Sequence, residues 1–214
     1  MTPYELAISQ ISHRPTMIYG LKFAPSLEPH VSDNQDSPAW GWPTGPEVSD
    51  GNLQVVSNIL KQLNSKCKTI VEIGVHRNEG RSMTNILMDN KPTDCLYVGI
   101  DIDDKSYLNN TVKKIHTIKS NSHNQRDIRK TLTDLNAQSI DVLMIDGWHS
   151  VNTCVNDWCY ADLLSKHGCV ILHDTNAHPG CIALFHAVDE RLFEKTRHCT
   201  SMDDMGIATF WHRA

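Results

Sequence analysis

The chain has 214 residues, 40% hydrophobic and 21% charged, which suits one globular domain with a substantial core. A net charge of −5 argues against a nucleic-acid partner, whose phosphates call for a basic surface, and no apolar run is long enough to span a membrane. Seven cysteines, an odd number without a C-x-x-C pair, and a first stretch without an apolar leader are the pattern of free thiols in a reducing cytoplasm.

Residues 1–50 show no sustained period. The stretch Pro25 to Gly51 is crowded with Pro, Ser, Asp and Gly, so this part reads as an irregular arm or lid. Trp40 and Trp42 within it either cap the core edge or cover a ligand. From residue 51 to 214 the pattern is regular. Leu53, Val56, Leu60 and Leu63 share one helical face. Lys68 to Val75 is a β-branched strand, and Met83, Ile86 and Leu87 mark a helix. Cys95 to Ile102 is a second strand; Leu108, Val112 and Ile115 predict a helix leading into a third, "IHTIKS". Ile128, Leu132 and Leu135 make a helical stripe before the fourth strand, Ile140 to Ile145. Val151, Cys154, Val155, Trp158 and Leu163 fit a helix, and Cys169 to Leu172 is the fifth strand. Ile182, Phe185, Val188 and Leu192 predict a last helix, followed by strands at Arg197–Thr200 and Ile207–Trp211.

Strands alternating with helices predict a doubly wound, Rossmann-like α/β fold with a mostly parallel sheet. Continuous apolar strands agree, because central parallel strands are buried on both faces. In such a sheet the ligand lies beyond the carboxyl ends of the strands, where strand order reverses. Asp146 and His149 follow the fourth strand, and His173 and Asp174 follow the fifth, so all four fall on that rim.

The loop "VEIGVHRNEGRS", Val71 to Ser82, joins the first strand to a helix expected to start near Gly80. Gly74 and Gly80 allow close backbone approach. The middle glycine of the dinucleotide fingerprint is absent, and Glu72 and Glu79 would repel a pyrophosphate at the helix N-terminus. S-adenosylmethionine carries an ammonium and a sulfonium instead, and the acids favour it over NAD. Asp101, first past the second strand, can accept both ribose hydroxyls. Asn121 and Ser122, after the third strand, are placed to meet the adenine edge.

Taken in order, "IVEIGVHRNEGRS", "YVGIDID", "IDVLMIDGWHS" and "GCVILHDT…PG" resemble a class I S-adenosylmethionine-dependent methyltransferase. The nearest resemblance is to small-molecule methyltransferases with D-G-x-H-S and H-D-T motifs, cephalosporin-hydroxylase-like proteins being relatives. It covers roughly residues 52–212 and includes "MGIATFWHRA" as a last strand antiparallel to the fifth. The resemblance implies a seven-stranded sheet and O-methylation of a small-molecule hydroxyl. It implies that Glu72, Gly74 and Ser82 hold the methionine part of the donor, with Gly80 in the same loop, and that Asp101 holds the ribose. Asp146 borders both donor and acceptor; Asp146 and Asp174 would hold a divalent metal, Mg²⁺ or Ca²⁺, and His149 would be the base or the metal's neighbour. Three departures stand out. The loop is one residue longer, with Asn78 and Glu79 where glycine is common; Trp148 stands where the family often has an acid; and Thr175 separates Asp174 from Asn176.

Alternatives stay open. A cofactor binder without turnover fits the altered loop and Trp148, and an NAD oxidoreductase fits the fold. His173, His178, His186, Asp174 and Cys181 suggest zinc, but H-x-x-x-H spacing on a helix is missing. The acceptor is unreadable, and a homo-oligomer is left open.

Overall fold

The computed structural model describes residues 3–27, 46–77 and 80–213. Trp40, Trp42, Asn78 and Glu79 lie outside the described residues.

A helix α1 (Pro3–Gln10) and a hairpin of β1 (Ile11–Arg14) and β2 (Ala24–Leu27) open the chain. Residues 3–14 and 24–27 are therefore regular where no periodicity was visible, because their order comes from packing on other elements. Ala7 buries against Ile182, Tyr4 Oη lies 2.7 Å from His186 Nε2, and Trp158 Nε1 donates to the Tyr19 carbonyl at 2.8 Å.

Helix α2 (Asp50–Leu63) starts at a capping box: the Asn52 amide donates to the Ser49 hydroxyl, and the Ser49 amide donates to the Asn52 side chain, both at 3.1 Å. Next come β3 (Thr69–Ile73), α3 (Met83–Asn90), β4 (Leu96–Asp101) and β5 (Ile115–Lys119). The helix predicted through Leu108 and Ile115 is absent. A single 3₁₀ turn at Ser106–Leu108 stands there, and Val112 is 90% exposed. The Asn109 side chain instead accepts from the amide and hydroxyl of Thr117, a local bond that competes with helix.

Then follow α4 (Gln125–Asp134), β6 (Ile140–Ile145), α5 (Val151–Trp158) and β7 (Leu164–His173). A 3₁₀ turn (Cys159–Leu163) ends α5 before the expected Leu163. Helix α6 (Pro179–Ala187) stops short of the predicted Leu192, because Val188 leaves the helix to bridge Leu21. The chain closes with β8 (Phe193–His198), displaced toward the N-terminus from its predicted place, and β9 (Ile207–His212).

The main sheet has seven strands in the order β5-β4-β3-β6-β7-β9-β8. Strands β3 to β7 pair in parallel, and β9 runs antiparallel between β7 and β8, as the resemblance implied. Alternate residues feed two cores. Val71, Ile73, Val98, Ile100, Leu143 and Ile145 face Ile128, Trp158 and Leu184 of α4, α5 and α6. Ile70, Tyr97, Val142 and Met144 face Val56, Leu60, Met83 and Leu87 of α2 and α3. Strand order reverses between β3 and β6, so the crevice falls where their carboxyl ends part.

Candidate active site

Gly74 ends β3 with φ +87°, and a Cβ there would lie 2.1 Å from the Asp146 carbonyl oxygen. Only glycine lets the ends of β3 and β6 meet this closely. The Asp146 amide then donates to the Ile73 carbonyl at 2.9 Å. A second such approach occurs at Gly180, where a Cβ would lie 2.1 Å from the His149 carbonyl oxygen and push α6 away from the loop after β6.

Above this junction opens a cavity of about 690 Å³. It is lined from the ends of β3 (Ile73 to His76), β4 (Ile100 to Asp103, and Lys105), β5 (Ser120 to His123) and β6 (Asp146 to His149), with Thr153 and Asp157 of α5 and with Glu47. Of the sequence-predicted residues, Gly74, Asp101, Asn121, Ser122, Asp146 and His149 line it. Asp101 shapes the crevice as well: it accepts from the Val75 amide at 2.7 Å and the Asp103 amide at 2.8 Å, which tie the β3 and β4 loops together.

Glu72, Gly80 and Ser82 are not among the lining residues. Glu72 is wholly buried on the α2–α3 side, where Tyr97 Oη donates to it and Thr84 Oγ1 donates at 2.9 Å. Thr84 in turn accepts from the His76 amide at 2.9 Å, so Glu72 braces the loop from beneath. Burial raises its carboxyl to about 8, against the lowering effect of those two bonds. Ser82 is the buried N-cap of α3, accepting from the Asn85 amide at 3.0 Å. The helix thus begins after Ser82 rather than near Gly80, because the hydroxyl supplies the cap a glycine lacks.

Beside the cavity the rim residues form one cluster. His173 Nδ1 lies 3.0 Å from Asp146 Oδ1 and 3.2 Å from Asp174 Oδ1. His149 Nε2 lies 3.0 Å from Asp174 Oδ2 and 3.8 Å from Asp146 Oδ1, and its ring stacks on His178 with centroids 4.5 Å apart. Asp174 adopts φ +60°, a left-handed conformation in which a non-glycine residue is strained, and its carbonyl accepts from the Ala177 and His178 amides. Burial alone would lower His149, but the Asp174 and Asp146 carboxylates outweigh it and raise the ring to about 10. His173 is raised for the same reason, and Asp174 is held well below the usual carboxylate range despite burial, by His173 and His149. This corrects the reading of His149 as a base near its ordinary 6.5: paired with two carboxylates, it keeps its proton at neutral pH.

Asp146, His173 and Asp174 each bring a ligand atom within 4.8 Å of the others, and so do His149, Asp174 and His178. Trp148 is half exposed at the cavity mouth and brings no ligand. Asn176 does not point to the cluster: its Nδ2 donates to the carbonyls of Cys199, Ser201 and Asp204 and pins that loop. Sequence reasoning missed Glu47, His76, Lys105, His123 and Asp157 as lining residues. For Asp157 a signal existed, since Thr153 and Asp157 are spaced i, i+4 beside the apolar stripe of α5.

Residues 71–175 match the Methyltransf_24 family, described as a methyltransferase domain. No curated protein sequence matches the chain. Among solved structures, the MycE methyltransferase of the mycinamycin biosynthetic pathway, in complex with Mg and SAH, is similar at TM-score 0.56 and 13% identity, over 75% of this chain and 49% of that one. The chain thus spans about half the length of that relative. SMU.1697c of Streptococcus mutans, in complex with SAH, is similar at TM-score 0.52 and 10% identity, over 75% of this chain and 97% of that one. A Clostridium thermocellum protein named as an rRNA-methylase is similar at TM-score 0.56 and 16% identity, over 77% of this chain and 97% of that one. Among the described residues no helix is long and apolar enough to cross a membrane. The chain has the Rossmann-like fold of these methyltransferases, and its residues 71–175 match a methyltransferase domain.

Proposed function

We propose that the chain is an S-adenosylmethionine-dependent methyltransferase acting on a hydroxyl of a small molecule. The observation that carries this reading is the cavity at the β3–β6 switch point, where five carboxyl side chains, Asp101, Asp103, Asp146, Asp157 and Glu47, outnumber the cationic Lys105 and His149. A cationic donor is drawn to such a rim and a diphosphate is repelled. The matched methyltransferase domain and the SAH complexes of MycE and SMU.1697c support it. The donor's methionine end would lie by Gly74 and its ribose by Asp101. The methyl group would then face Asp146 and His149.

Methyl transfer is an in-line displacement, so the chain's task is to align the acceptor oxygen and remove its proton. The donor set is suited to a divalent ion: Asp146 and Asp174 offer carboxylates, and His173 adds an imidazole. Such a mixed set suits Mn²⁺ or Fe²⁺ at least as well as Mg²⁺, which prefers oxygen throughout. An ion held by Asp146, Asp174 and His173 would supply Lewis acidity, lowering the pKa of an acceptor hydroxyl. His149, on the cavity wall, takes the acceptor's proton only in its neutral form, which pairing with Asp174 and Asp146 disfavours at neutral pH, so turnover should rise toward alkaline pH. Asp174 holds the ring in place meanwhile, and half-exposed Trp148 offers a flat apolar surface to the acceptor at the mouth.

Calorimetry with S-adenosylhomocysteine, followed by turnover of S-adenosylmethionine on a panel of phenols, sugars and catechols, tests the proposal. Donor binding with turnover supports it. Donor binding without turnover on any acceptor leaves a binder rather than an enzyme, and uptake of NAD in place of the adenosyl compound defeats the reading.

A further inference from the structure

Asp174 presents its two carboxylate oxygens to different histidines. Oδ1 lies 3.2 Å from His173 Nδ1, and Oδ2 lies 3.0 Å from His149 Nε2. Oδ1 belongs with Asp146 and His173, the set suited to the activating ion. Oδ2 belongs to a second set, because His149, Asp174 and His178 also bring one ligand atom each within 4.8 Å of one another. Asp174 and His178 are buried, and only 13% of the His149 side chain is exposed.

Backbone contacts hold these three residues together. The Asp174 carbonyl accepts from the His178 amide at 3.1 Å, a turn that keeps the His178 ring beside the carboxylate. Gly180, at the start of α6, is where a Cβ would lie 2.1 Å from the His149 carbonyl oxygen, so only glycine lets the helix meet the loop after β6. The His149 and His178 rings accordingly stack at 4.5 Å, with 20° between their planes. Donor type separates the two sets. The first offers two carboxylates and one imidazole, the second one carboxylate and two imidazoles. Magnesium prefers oxygen throughout, whereas two imidazoles with one carboxylate is a zinc-binding set.

We propose that His149, Asp174 and His178 form a second, nitrogen-rich ion site, which takes Zn²⁺ in preference to Mg²⁺ and inhibits the chain by occupying His149. The inhibition rests on the reading of His149 as the group that takes the acceptor's proton; the ion site itself does not. Zinc binding releases the proton that His149 shares with Asp174, because only a deprotonated ring nitrogen ligates. An imidazole with an ion on one nitrogen and a proton on the other has no lone pair left for the acceptor.

The test is calorimetry of Zn²⁺ and Mg²⁺, without donor or acceptor, on the wild-type chain, His178→Phe and Asp146→Asn, each checked by thermal melting. Phenylalanine keeps a flat ring against His149 and removes the ligand nitrogens; His178→Gln serves if that variant does not fold. The wild type should bind Zn²⁺ about 10²-fold or more tightly than Mg²⁺. Either His178 variant should lose about 10²-fold or more in zinc affinity, since even an outer partner of a ligand is worth about 10–100-fold. Asp146→Asn should keep most of it. Zinc should lower the turnover of the wild type, and should leave the turnover of the His178 variant where it stood before the addition. A wild type without preference for zinc overturns the site, as does zinc affinity lost in Asp146→Asn but kept in a folded His178 variant. Zinc bound through His178 with turnover unaffected overturns the inhibition. A chain that takes zinc through His178 but no S-adenosylhomocysteine upholds the ion site and overturns the methyltransferase reading instead.

Discussion

Replacing Glu72 by glutamine tests whether the buried carboxyl beneath the first loop is a brace or a ligand. Its burial moves the carboxyl from 4.5 to about 8. A shift of that size corresponds to about 5 kcal/mol at most, at 1.36 kcal/mol per pH unit. The sign follows from where the proton goes. Above pH about 4.5 the unfolded chain releases the Glu72 proton, whereas the folded chain keeps it until about pH 8. The folded state therefore binds more protons across that window, and stability falls as pH rises through it, becoming level above about 8. Glutamine has no proton to lose and keeps the shape. Its carbonyl still accepts from Thr84, and its amide donates to the Tyr97 hydroxyl, which turns from donor to acceptor. Urea unfolding of both proteins at half-unit steps from pH 5 to 9 should give near-equal stabilities at pH 5. The Glu72→Gln chain should then gain an increasing advantage, about 2–5 kcal/mol by pH 8.5. Donor affinity should change less than about threefold, since Glu72 does not line the cavity. Parallel pH profiles would refute the argument from burial, and a hundredfold loss of donor affinity would return Glu72 to the list of ligands.

His149→Ala should cut turnover about 10²-fold or more with donor affinity nearly intact, as loss of a positioned base does; unchanged turnover removes the ring from the reaction. Gly74→Ala should destabilise the chain by about 2 kcal/mol or more and abolish donor binding, because its methyl group meets the Asp146 carbonyl; a folded variant that binds donor normally contradicts this. Ser82→Ala should cost about 1 kcal/mol in urea unfolding and leave donor affinity alone, separating a cap from a methionine contact. Chelation should remove turnover, with Mn²⁺ restoring it at least as well as Mg²⁺, and Asp174→Asn should erase the melting shift that either ion produces; chelator-insensitive turnover dismisses the metal.

The alternation of apolar strands with amphipathic helices is local, so β3, β4, β6 and β7 were legible from residue type alone, and the parallel sheet followed from their order. The rim position of Asp146, His149, His173 and Asp174 was legible for the same reason: each follows directly on a buried apolar run. Periodicity failed where local side-chain bonds outcompeted it, as at Asn109 and Thr117, and where order came from packing, as in residues 3–14 and 24–27. Glu72 shows a further limit. Two residues before Gly74 it looks like a ligand, yet strand alternation turns it to the face away from the crevice, as its neighbour Ile73 turns toward the other core.

From residue order alone came the fold class, the end of the sheet where the cavity opens, and six of the residues that line it, Gly74, Asp101, Asn121, Ser122, Asp146 and His149. Contacts between distant segments decided the rest. Burial against Tyr97 and Thr84 made Glu72 a brace, two carboxylates from separate strands made His149 an imidazolium, and the turn of α5 brought Asp157 under Gly147. Propensity and pattern act over a few neighbours, whereas the field and solvation at an ionisable group depend on every segment folded around it.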